Sequence, residues 1–192
     1  MRFPHWQFFE SIDDELHSVS RVIEFSKDNF STYSVSLTKM YLSVCSEIDV
    51  VAKLLCARIS PNANPGNIDQ YRSLITQKFP KFCALKIEMP GHELEFQPWQ
   101  SWSNGNNPNW WRSYNDVKHE RNKFYRDANL GNVLESAAGL LVLLTYFHQP
   151  ELYDKNEVLQ PDFKMMRIDP QLVGVMRWGF TYKLPDFEKN ST

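Results

Sequence analysis

The chain has 192 residues, 42% of them hydrophobic and 14% aromatic, with a formal net charge of −2. That length and apolar content suit one folded domain with a substantial core and exclude a disordered chain. The slight negative charge excludes a generally basic polyanion binder, so any nucleic-acid contact must use a local patch.

The first 15 residues, MRFPHWQFFESIDDE, lack the basic stretch, apolar run and cleavage site of a signal peptide. Cys45 and Cys56 stand eleven apart in one expected helix, roughly 16 Å along its axis and too far to bridge. Neither they nor Cys83 form a C-x-x-C pair, so reduced thiols in a cytoplasmic protein are expected. The most apolar run, 137–147, is well short of the roughly 20 residues of a bilayer span. No membrane association is expected.

The periodicity predicts a first helix over 8–27, with Ser11 and Asp14 as a capping box and Ile12, Leu16, Val19 and Ile23 as its buried stripe. A second helix over 34–59 carries Leu37, Tyr41, Val44, Ile48, Val51 and Leu55, the threes-and-fours pattern of a bundle helix. Asp49 and Lys53 pair across one turn on its flank, and Glu47 adjoins the stripe. After the breaker PNANPGN a short helix over 68–78 ends before Pro80.

The period then changes to two. Leu85, Ile87 and Met89 alternate with Lys86 and Glu88; beyond Pro90-Gly91, Leu94 and Phe96 alternate with Glu93, Glu95 and Gln97. This reads as an inserted β-hairpin at about 83–97, with Glu93 and Glu95 on one strand face that either holds a metal or, the simpler reading with no His or Cys beside it, is solvated. The loop 98–111 holds Trp99, Trp102, Trp110 and Trp111. They form either a stacking platform for a base or sugar or, the simpler reading, a lid over the bundle end.

Asn109 is the expected N-cap of a helix from Trp110, and a nearly all-apolar helix follows Asn129. Past Pro150 the periodicity weakens; Val173 to Tyr182 suits a strand, and the tail beyond Leu184 is expected to be loose. The fold class is therefore mainly α: a bundle of about five helices with a small inserted hairpin over 1–150. Residues 151–192 extend that domain or form an appendage.

The helix from Trp110 carries the plausible chemistry. Trp110, Tyr114, Val117, Arg121 and Phe124 share one face, and Arg112, Asn115, Asp116, His119 and Asn122 another. Arg112 and His119 are seven apart, about two turns and nearly in line. Metal-free RNA cleavage needs a proton acceptor for the 2′-hydroxyl, which imidazole supplies near neutrality. It also needs a cation beside the phosphate, which the guanidinium fork supplies. Arg112 and His119 are thus the candidate catalytic pair, with Asn115 or Asp116 orienting the imidazole. Lys118, Arg121, Lys123 and Arg126 raise the local charge of 112–126 to +3, a patch suited to a phosphate backbone, with Trp111 as a neighbouring contact. Arg121, on the apolar face, is expected to pair with Glu47.

These residues also carry a resemblance. Trp111, Tyr114, Asn115, Lys118, His119 and Arg121, followed by Ala128-Asn129-Leu130, Asn132-Val133-Leu134 and an apolar helix, resemble bacterial members of the HEPN superfamily. Its signature is an Arg, four to six residues, and a His; Arg112 and His119 enclose six. The likeness covers 8–60 loosely and 110–147 more closely. The residue after the signature Arg, commonly an amide or acid in the family, is Ser113 here. The hairpin and the region past Pro150 lie outside the likeness. The resemblance implies a helical-bundle homodimer that is a metal-independent endoribonuclease of a toxin or phage-defence system, with an antitoxin or regulatory partner.

The rival reading is a non-catalytic module that binds a nucleotide, RNA or protein, since a polar helix face also carries charges simply because water is there. No cofactor or metal is expected: His5, His17, His92, His119 and His148 have no ligand spacing, and no Gly-rich phosphate loop appears.

Overall fold

In the computed structural model, residues 3–149, 163–169, 173–176 and 179–182 are described. Five α-helices occur among them: α1 (Pro4–Ser20), α2 (Val35–Ile59), α3 (Ile68–Lys78), α4 (Asn109–Phe124) and α5 (Leu130–Phe147). The chain is mainly helical, as its periodicity implies.

α2 and α5 are the central pair, with α1, α3 and α4 packed around them. α2 starts where Ser34 accepts the Leu37 amide, a side-chain cap that satisfies one open N–H. α5 is apolar nearly all round, Asn132 and Glu135 apart, and lies inside the bundle. By length and composition it would cross a membrane, but 83% of that window is buried against the rest of the protein. Its first turn is closed by the Asn129 side chain and by the carbonyls of Thr32 and Phe30.

α1 begins earlier than the capping-box pattern suggests. Pro4 occupies the first turn, where its missing N–H costs nothing. Trp6 and Phe9 extend the buried stripe toward the N-terminus, so Ser11 and Asp14 fall mid-helix and the helix ends at Ser20. α4 likewise starts one residue early: Asn109 is its first helical residue, behind Pro108, and no side chain caps it.

The hairpin forms as β1 (Ile87–Met89) and β2 (Leu94–Phe96), with Leu85, Ile87 and Met89 turned into the core. Glu93 does not share a strand face with Glu95. It takes a left-handed conformation at φ 54°, closing the turn that Pro90 and Gly91 open. Glu95 instead pairs with Lys86. A third strand, β3 (Arg167–Ile168), pairs with β1, a long-range partner the local pattern does not reveal. Within the expected strand at 173–182, β4 (Val173–Met176) and β5 (Gly179–Tyr182) pair antiparallel. The tail beyond Leu184 lies outside the described residues.

The segment before β3 is held by one carboxylate. Asp13, 2% exposed on α1, accepts the amides of Lys164 (2.5 Å), Met165 (3.1 Å) and Met166 (3.2 Å). Phe163 packs its ring on Trp6 and Phe9. Residues 163–169 therefore belong to the bundle. Burial raises the Asp13 carboxyl above its usual value, outweighing the pull of the three amides. A carboxyl raised on folding contributes stability that is complete below its unfolded value and lost as pH climbs through the folded one.

Asp13→Ala is expected to remove about 1–3 kcal/mol at neutral pH by stranding buried amides. Hydrogen exchange at 164–166 should quicken accordingly. Unchanged exchange there would show that the carboxylate does not hold the segment.

Cys45, Cys56 and Cys83 are all buried thiols outside any disulfide. Burial pushes Cys56 up to about 11, against thiolate chemistry.

Candidate functional site

α4 is anchored through its tryptophans. Trp110 is fully buried, donates from Nε1 to the Pro98 carbonyl (3.2 Å), and its own carbonyl accepts the Tyr41 hydroxyl. Trp99 donates to the Gly139 carbonyl of α5 at 3.0 Å. A Cβ on Gly139 would stand 3.1 Å from Trp110, so the close approach of α5 to this cluster needs glycine. Trp99 and Trp102 lie 4.2 Å apart between ring centroids, both buried. The four tryptophans are therefore a lid over the bundle end. Their burial favours the lid over the stacking platform; Trp111, 7% exposed, still lines a cavity with Tyr114, Asn115 and Lys118.

Beyond the anchor, α4 runs regularly to His119 and breaks at Glu120, whose φ −133° and ψ 48° are not helical. The break corrects one expectation. Helical phase puts Arg121 on the apolar face, but the changed direction turns it to solvent. Glu47, its expected partner, instead meets His5 Nδ1 at 2.5 Å. Phe124 remains half-buried.

The turned segment walls a concavity of about 700 Å3, lined by Lys118, His119, Arg121, Asn122 and Tyr125 over a floor of Leu42 and Val117. Three basic side chains and an amide face it, and among the described residues no carboxylate does. His119 is exposed. The carboxylate of Glu120 is taken up by Lys123, which leaves that lysine largely neutralised. Arg126 lies over the Tyr33 ring at 5.9 Å, outside the concavity.

Arg112 is exposed but lines a different cavity, of about 470 Å3, under the asparagine loop. The separation is geometric: seven residues of regular helix place Arg112 and His119 on one flank yet roughly 10 Å apart along the axis. Asn115 does not reach the imidazole either. Its Nδ2 donates to the Trp111 carbonyl at 3.0 Å, and it lines a third cavity with Asp49, Lys53 and Tyr114. Asp116 is exposed on the helix between them.

Lys118 borders both the His119 concavity and that third cavity, its Nζ 5.5 Å from the Tyr114 ring. Tyr125 is a site residue that spacing alone did not single out, while Asn122, which spacing puts on the polar face, joins His119 there. No proline or glycine in 118–126 marks the break that brings them round. Glu135 is another such residue. It lines a small cavity with Asn109 and Asn132, and burial raises its carboxyl.

Among the described residues, no three His, Cys, Asp or Glu side chains gather as a metal site. Compared with protein-family models, with curated proteins and with solved structures, the chain matches none.

Proposed function

We propose that the chain is a HEPN-like endoribonuclease of the toxin or phage-defence kind, with the concavity behind the α4 break as its RNA-cleaving site. The observation that carries this reading is the exposed His119 beside Lys118 and Arg121 in a concavity that no carboxylate among the described residues lines. His119 takes the proton of a ribose 2′-hydroxyl. The freed oxygen attacks the adjacent phosphorus, the bond to the 5′-oxygen breaks, and that oxygen leaves with a proton from water, while the His119 imidazolium returns its own proton to solvent. Arg121 and Lys118 balance the charge that gathers on the phosphate oxygens. The protein acts without a cofactor, and the basic side chains supply the cationic role.

Arg112 enters as a phosphate contact further along α4. In a homodimer it could also come from the second copy, which would bring the two signature residues together. Their separate cavities favour a second reading, a non-catalytic module that holds RNA or a nucleotide on the same basic face.

Incubation of purified protein with labelled single-stranded RNA in EDTA separates the two. The enzymatic reading predicts cleavage by the native chain and none by His119→Ala. Intact RNA, or equal cutting by both proteins, leaves only the binding module.

A further inference from the structure

A second cluster of cationic groups stands under the asparagine loop. Arg72 of α3 is half-buried and fixed in place: Nη1 donates to Asn107 Oδ1 at 2.8 Å and Nη2 meets Asp69 Oδ1 at 3.0 Å. Asn107 Nδ2 donates to the same Asp69 oxygen at 3.0 Å. That triangle neutralises Asp69 while leaving Arg72 three of its five N–H donors among the described residues.

Arg112 lines the same cavity from α4, as does Asp69, whose carboxylate is held by Arg72; Arg112 itself makes no ion pair among the described residues. Its guanidinium is therefore the uncompensated charge of the site. Ser101 also lines the cavity, and its Oγ is shielded from water and has no hydrogen-bond partner. A buried hydroxyl without a partner is costly and marks a place where another group belongs. Asn109 opens α4 at the cavity wall with no side-chain cap; the Trp111 and Arg112 amides donate to the Pro108 carbonyl, which leaves those of Asn109 and Trp110 for another acceptor.

We propose that this cavity is a phosphate-binding subsite: Arg112 and Arg72 grip a phosphate group, with Ser101 and the start of α4 completing its hydrogen bonds. The ligand class is a phosphate of a nucleotide or of an RNA strand, since two guanidinium forks and neutral donors match phosphate oxygens better than a single carboxylate. A stretch of RNA lying along α4 would then be held here by one phosphate and presented to His119 by another. The subsite does not depend on cleavage; it stands equally in a protein that only binds.

Calorimetric titration of the full chain carrying His119→Ala keeps RNA intact and separates the two ideas. The probes are inorganic phosphate, uridine 5′-monophosphate and the dinucleotide UpU, which has only an internal phosphate. Saturable binding is expected, with the tighter of the last two naming a terminal or internal phosphate as the source. Arg112→Gln should weaken binding about tenfold or more and Ser101→Ala by a smaller factor, both with unchanged melting temperature. No saturable uptake of any probe up to about 10 mM, or equal affinity in Arg112→Gln, would overturn the proposal.

Discussion

Replacement of Trp110 by alanine is expected to destabilise the fold by about 3–5 kcal/mol. The ring is fully buried, meets Trp99 at 5.1 Å and Trp111 at 6.0 Å between centroids, and fills the space that Gly139 leaves open on α5. Truncation loses the transfer free energy of the indole and leaves a void that the surrounding rings cannot close without moving. It also strands the Pro98 carbonyl that Nε1 satisfies. Because domains of this size are stable by only about 5–15 kcal/mol, the variant should approach the unfolding threshold. Denaturant melts measure this directly; Trp110→Phe should fall between the two. A loss below about 1 kcal/mol in Trp110→Ala would mean that α4 is anchored elsewhere.

The second large effect is chemical. His119→Ala is expected to slow RNA cleavage by about 100- to 10,000-fold, the span associated with removing a general base. The residue is exposed and makes no side-chain bond among the described residues, so its removal should leave melting temperature and RNA affinity nearly as they were. Those two controls separate chemistry from collapse. A variant that cuts RNA at the native rate in EDTA assigns the proton transfer to another group, and one that binds no RNA makes His119 a contact instead.

Helical phase and chain breakers made much of the bundle legible, whereas the expected caps, Ser11 with Asp14 and Asn109, fell within their helices. Ser34 and the stripe from Leu37 to Leu55 define α2 almost to the residue, and Asn129 marks the start of α5. The alternation around Pro90-Gly91 gives the hairpin. These are local signals, carried by side-chain period and turn chemistry. What depends on distant partners was not legible: β3 joins β1 across the chain, and Asp13 reads as an acidic residue in a helix until the amides of 164–166 surround it.

The site divides in the same way. Exposure of His119 and Arg112 follows from α4's polar face. The turn of Arg121 and Tyr125 into the His119 concavity follows from a backbone break at Glu120. Neither a proline nor a glycine announces that break. The tryptophans mislead in the other direction, because four large rings near a loop look like a binding surface until the packing buries them.

The decisive measurement compares single-turnover cleavage rates at saturating protein for Arg121→Gln and Arg112→Gln in EDTA. If the concavity behind the α4 break is where RNA is cut, loss of Arg121 slows the chemical step about 100-fold and exceeds the effect of losing Arg112. A larger loss in Arg112→Gln, or native cleavage by Arg121→Gln, would place the reacting phosphate elsewhere and contradict the account.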